Sequence, residues 1–299
     1  MNNPRLGNSM AAFSFVLWGL LPLYYQFLPQ AATDELLAVR LLASVPFGAL
    51  IVLLITKKLP DFKKIWANKQ ALKLTFLASS LMSISWAAFT WAMTHDRVID
   101  ASLGFFISPI TMIALGVLVL GEHLSLGKRV ALVLATVGLG YQVYQYGQVP
   151  VIALLMAVFF TLYGWYKRKI TYDWSTCLFV EALVLAPFAL AYMTYKSYTF
   201  GAESLSQGWE VFALYIGAAP ATLIPLVFYS IAIRMTDMSN VGLMQYIEPS
   251  IQFLLAVFIF GEIFDEVKLI SFSMIWAGLF LIVIEAIIRR AKRNARNST

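Results

Sequence analysis

Little in this chain suits a soluble protein. Only 13% of its 299 residues are charged, about half of the roughly 25% usual in soluble domains. It has a single cysteine, Cys177, so no disulfide can close within it and no cysteine-based metal site can form. His95 and His123 are the only histidines, and with one thiol they are too few for a structural zinc. No Gly-x-x-x-x-Gly-Lys-Ser/Thr loop occurs, which argues against ATP hydrolysis. The net charge of +6 is not gathered into a patch for nucleic acid; it lies at the ends of apolar runs, where charge sets membrane topology. We therefore expect no cofactor, no metal, no ATP and no nucleic-acid partner.

What the chain has instead is apolar length. Hydrophobic residues make up 60% of it and its mean hydropathy is positive. Ten apolar segments stand between polar breaks, at 8–28, 35–56, 71–94, 100–121, 127–145, 149–167, 174–195, 209–233, 239–260 and 267–288. Each is near the ~20 residues that carry a helix across a ~30 Å hydrocarbon core. The first exceeds the roughly 7–15 residues of a signal-peptide core and has no Ala-x-Ala-type site after Pro29, so we expect it to be retained. With the N-terminus placed in the cytoplasm, 18 Lys and Arg residues fall inside, including the Lys57–Lys73 cluster and Arg289–Arg296. Only Arg97, Lys196 and Lys268 fall outside, and Arg40 is left within a segment. That asymmetry predicts cytoplasmic N- and C-termini.

The chain also repeats itself. Phe106-Ile107-Ser108-Pro109 matches Tyr246-Ile247-Glu248-Pro249 at an offset of 140, and Leu120-Gly121-Glu122 matches Phe260-Gly261-Glu262 at the same offset. Phe15-Val16-Leu17-Trp18-Gly19 resembles Phe160-Thr161-Leu162-Tyr163-Gly164 at 145. Two units follow, 1–146 and 147–299, each with five segments. Five is odd, so the second unit enters the membrane from the opposite side. The predicted fold class is all-α integral membrane, ten transmembrane helices in two inverted five-helix repeats. Such repeats place a substrate site near the midplane between the halves and operate by alternating access.

With Gly104-Phe105-Phe106-Ile107-Ser108-Pro109 and Met244-Gln245-Tyr246-Ile247-Glu248-Pro249, the layout resembles the EamA branch of the drug/metabolite transporter superfamily, and within it the RarD-type members. Leu162-Tyr163-Gly164 with Lys167-Arg168-Lys169, and Glu35-Leu36-Leu37-Ala38-Val39-Arg40, read the same way. Ser108 stands where that group is expected to carry Asn, and Glu248 where it is expected to carry a small neutral residue. The resemblance implies an inner (plasma) membrane, multi-pass exporter of amino acids or related small metabolites.

Polar residues inside the apolar segments are the candidates for the site. Gln245, Glu248 and Gln252, spaced i, i+3 and i+7, form one stripe. Glu248 lies near mid-depth, where a carboxyl group either exchanges a proton or holds a substrate amine. Pro249 removes a backbone donor and frees the carbonyl near residue 245. Arg40 can bind a carboxylate through two parallel hydrogen bonds; the blander reading is that Arg40 and Glu181 both snorkel or pair at the bundle ends. Trp18, Trp86, Phe105, Tyr163 and Tyr246 fall in segments that the family arranges around its central cavity, where rings stack on flat solutes or face an ammonium. The expected substrate-binding set is Trp18, Arg40, Trp86, Phe105, Tyr163, Gln245, Tyr246 and Glu248, with Glu248 also the candidate for proton coupling. Its partners would be a small-molecule substrate, the lipid bilayer and protons.

Other polar features read as structural. Glu285 and Arg289 have the spacing of an ion pair on one helix face. His95-Asp96-Arg97 reads as a loop, because no nucleophile accompanies it. Trp66, Trp174 and Trp209 read as interfacial anchors. No enzyme is expected. The alternatives are a multispan membrane enzyme, which would need clustered acidic or histidine residues near an interface, a regulatory or scaffold protein, and a broader drug efflux transporter.

Overall fold

A computed structural model describes residues 3–28, 31–58, 61–94, 98–147, 151–259, 261 and 266–297. The described residues form fourteen helices and no strand. In hydrocarbon there is no water to pair with free N–H and C=O groups, and a helix satisfies its backbone internally. The helices are α1 (Pro4–Gly19), α2 (Leu21–Tyr25), α3 (Thr33–Thr56), α4 (Phe62–Ala67), α5 (Lys69–Thr94), α6 (Val98–Leu118) and α7 (Leu126–Tyr146). They continue with α8 (Val151–Lys169), α9 (Trp174–Thr199), α10 (Glu203–Ser206), α11 (Trp209–Met235), α12 (Met238–Gln245), α13 (Ile247–Phe258) and α14 (Glu266–Asn297).

Among the described residues, seven helical stretches are long and apolar enough to cross a membrane: Pro4–Tyr25, Thr33–Thr56, Lys69–Phe89, Val151–Lys169, Trp174–Thr199, Trp209–Met235 and Glu266–Ile288. Gly104–Leu118 is a shorter apolar helix. The described residues of all ten apolar segments lie mostly on helix. Two of the remaining three have visible reasons for falling short. Helix α7 carries Lys128, Arg129, Gln142 and Gln145, and the 239–260 segment is broken into two short helices at Tyr246. No more than 44% of any membrane-length window is buried inside the protein. Large apolar side chains such as Leu118, Phe188 and Phe258 point outward, as a lipid-facing surface requires. The protein is a multi-pass membrane protein.

Helix ends follow local chemistry. Ser125 caps α7 through Lys128 N–H, and Asp173 caps α9 through the N–H groups of Ser175 and Thr176, each satisfying donors that a helix leaves free. Gly121 and Gly261, the glycines of the two Gly-Glu pairs, both adopt left-handed φ, at +68° and +65°, where a side chain would be strained. Glu262 itself lies outside the described residues, as does His95-Asp96-Arg97.

Packing obeys a pairing rule. Helix α1 packs on α11, and α8 on α5; α6 packs on α8, and α12 and α13 on α1; α3 packs on α11, and α9 on α5. The remaining main contacts are α3 with α9, α6 with α12 and α7 with α14. Exchanging α1 for α8, α3 for α9, α5 for α11, α6 for α12–α13 and α7 for α14 turns this set of contacts into itself. The largest buried core, which includes Phe15, Trp18, Met112, Tyr163, Tyr229 and Met238, draws on both members of every pair except α7 and α14.

Candidate functional site

The break between α12 and α13 interrupts an apolar segment with buried polar side chains. Helix α12 ends at Gln245 and α13 begins at Ile247. Pro249, on the first turn of α13, has no N–H to return to the Gln245 carbonyl. Tyr246 N–H donates instead to Leu243 at a long 3.4 Å, and the regular ladder resumes with Ser250 N–H on the Tyr246 carbonyl at 3.2 Å. Three polar residues cluster at this joint, all buried: Gln245, Tyr246 and Glu248. The Gln252 amide donates to Glu248 Oε1 at 3.5 Å, a weak contact. Among the described residues, Gln245 Oε1 and the Tyr246 hydroxyl are buried without a hydrogen-bond partner. Buried polar atoms are rarely left so, and a site that takes up a ligand is one place where they are. Gly19 of α1 sits against this joint; a Cβ there would lie 3.2 Å from the Glu248 carbonyl and 2.9 Å from Ile251 Cβ.

The structure sorts the eight expected residues into groups rather than one ring. Trp18 and Tyr163 share an aromatic cluster with Phe15, Phe160 and Tyr229, in which Tyr163 stacks on Tyr229 at 6.2 Å and 9°. Arg40 lies over the Trp86 ring, with Cζ 4.1 Å from its centroid, and its buried Nε has no hydrogen-bond partner. Phe105 meets Phe89 edge-on at 5.8 Å. Tyr246 packs with Phe106, Ala135, Phe272 and Ile275, between α6, α7 and α14. Gln245 and Glu248 remain at the helix break.

Other acidic side chains bind helix starts, and Glu35 is the first of them. Its carboxylate accepts the N–H groups of Glu203 (3.0 Å) and Ser204 (2.8 Å) and lies 3.3 Å from Lys196 Nζ, fixing the start of α10. Lys196 also pairs with Asp34 at 2.5 Å. Glu285 accepts Ser125 Oγ–H at 2.7 Å and Gly127 N–H at 3.0 Å, tying α14 to the start of α7; the Arg289 side chain lies outside the description. Trp66 and Trp209 are exposed, as anchors should be, whereas Trp174 packs partly on the core.

Sequence reasoning missed the buried pair Lys167–Glu181. Lys167 Nζ lies 2.5 Å from both Glu181 oxygens, and Tyr163 Oη and Cys177 Sγ donate to the same carboxylate at 3.2 and 3.4 Å. Lys167 is fully buried. In the sequence it looks like the first of three basic residues closing α8, and nothing local separates it from Arg168 and Lys169.

A bundle of apolar helices with a polar break and buried polar side chains defines a membrane transporter more readily than a membrane enzyme. The comparisons identify which kind. Residues 5–142 and 149–284 each match the EamA-like transporter family, so this chain belongs to that family, and it is of the RarD type within the drug/metabolite transporter superfamily. It is 34% identical over 284 residues to the uncharacterized transporter YojE of Bacillus subtilis, covering 93% of each chain. It is 30% identical to Protein RarD of Salmonella typhi, covering 97% of this chain and 98% of that one. Protein RarD of Streptomyces exfoliatus is 33% identical over 98% of this chain and 92% of its own. A solved crystal structure with only 14% identity shares the fold, with a TM-score of 0.71 over 94% of this chain and 98% of that one.

Proposed function

We propose that the protein exports amino acids or similar small metabolites across the inner membrane by alternating access between two inverted five-helix repeats, 1–146 and 147–299, with both termini cytoplasmic. The observation that carries this reading is the joint at Tyr246, where a buried carboxyl and a buried amide oxygen meet beside a proline that withholds a backbone donor. A polar group at membrane depth is costly and ordinarily marks a substrate or ion pathway. The exchange symmetry of the helix contacts and the two family matches support the repeat. Glu248 is the group that would exchange a proton, and Arg40 with Trp86 would meet a carboxylate or a flat apolar moiety of the solute.

Two measurements test this. Purified protein heated with a library of amino acids, nucleosides and vitamins should melt higher with its substrate, because a ligand of the native state alone stabilises it. In liposomes, Glu248→Gln should abolish pH-driven uptake of that solute while counterflow persists. Undiminished pH-driven uptake by a well-folded Glu248→Gln protein would rule out the coupling role.

A further inference from the structure

Helix α6 ends at Leu118, and the chain reverses through Gly121. Leu120 N–H donates to the Leu115 carbonyl at 3.2 Å and Glu122 N–H to the Gly116 carbonyl at 2.9 Å. This fold-back lays the Glu122 carboxylate along α6 beside Gly116, where a Cβ would stand only 2.5 Å from Glu122 Oε2 and 3.1 Å from Ser239 N. Glu122 Oε1 accepts Met238 N–H and Oε2 accepts Ser239 N–H, both at 2.8 Å. Those amides open α12, whose N-cap residue Asp237 makes no side-chain cap of its own. Helix-start donors and the positive end of the dipole favour a carboxylate there, and bonds to an ionised acceptor are the stronger class. Arg168 of α8 stands 3.6 Å from Oε1, and the Glu122 side chain is only 10% exposed.

This contact joins two chain segments that the family matches separately, because Glu122 belongs to 5–142 and α12 to 149–284. The helices it joins touch closely further along: a Cβ on Gly242 would meet the Pro109 carbonyl at 2.9 Å. Next to it, Thr236 Oγ1 bonds Asn8 Oδ1 at 2.6 Å, again between the two segments. A transporter that opens on this face must part α6 from the start of α12.

The geometry points to Glu122 as a latch that keeps the cytoplasmic side closed, and its release from Met238 and Ser239 as a required step whenever the central site opens inward. The latch rests on the alternating-access reading and its orientation. Ser239 provides the reporter, since its side chain is 1% exposed and only its backbone N–H engages the carboxylate. Ser239→Cys in a Cys177→Ser background should react slowly with a membrane-impermeant maleimide in inside-out vesicles. Adding Glu122→Gln, which sets an amide donor against N–H donors, should raise that rate about tenfold, the population change expected when bonds of this class are lost. Gly116→Ala keeps the charge but puts a methyl only 2.5 Å from Oε2, and should act the same way. Both rates are read on protein of normal yield and monodispersity. Unchanged labelling in both variants overturns the latch. Acceleration confined to right-side-out vesicles instead overturns the orientation on which it rests.

Discussion

At the scale of single residues, chemistry was easier to read than direction. Gln245 and Glu248 were visible as polar groups in an apolar run, and both are buried at a helix break. Tyr163 and Tyr246 were equally visible, but one stacks on Tyr229 beside the Lys167–Glu181 pair and the other packs against Phe106 and Phe272. An aromatic residue has the same hydrophobic signature whether it faces a cavity or a neighbouring helix, so helix rotation, not composition, decides its role. Arg40 over Trp86 is the pair whose role a substitution can separate. Trp86→Ala removes the face under the guanidinium, an interaction of about 0.5–2 kcal/mol. Transport should become several-fold weaker in apparent affinity at near-normal abundance, measured by uptake against solute concentration. A purely packing role would appear as lost folded protein, since truncating a buried Trp in a soluble core costs about 3–5 kcal/mol.

At the scale of elements, seven of the ten apolar segments form described helices long and apolar enough to span a membrane, and they were legible because twenty-residue apolar runs have few other uses. The interruption at Tyr246 was legible only in part. Pro249 announced a missing donor, yet the change of helix falls three residues earlier, next to Gln245, whose carbonyl receives no N–H from position 249. Pro249→Ala would supply that carbonyl with an N–H and favour one continuous helix. We expect a higher melting temperature together with reduced counterflow, because the polar joint would close on itself. Unchanged counterflow in the Ala variant would show that transport does not need the break. Contacts between elements distant in sequence, such as Glu35 with Ser204 or Glu285 with Gly127, were not legible. Each involves a backbone N–H at a helix start, and a backbone donor leaves no mark in a sequence.

At the scale of the whole molecule, two short motifs at one offset suggested a repeat, and the chain matches its family in two stretches, 5–142 and 149–284. The structure adds that the helix contacts survive exchange of the two sets. The orientation rests on the distribution of Lys and Arg. Cysteine at Glu203 should react with an impermeant reagent applied to intact cells, and cysteine at Lys63 should react only after the cells are opened. Reversed labelling would overturn the topology, and with it the side on which Glu122 acts.

The Lys167–Glu181 pair also bears on how the chain reaches the membrane. Its two charges belong to helices joined by a short turn, Ile170–Asp173, so they emerge from the ribosome within moments of each other. A lone Lys or Glu entering hydrocarbon is penalised by a few kcal/mol, whereas the hairpin can insert with these two charges already neutralising each other. Losing one partner strands the other. Either Lys167→Met or Glu181→Leu alone should therefore lower the yield of inserted protein, scored by protease protection of nascent chains, and the double substitution should restore it. A double variant that inserts no better than the singles would mean that the pair forms only after the helices are already in the bilayer.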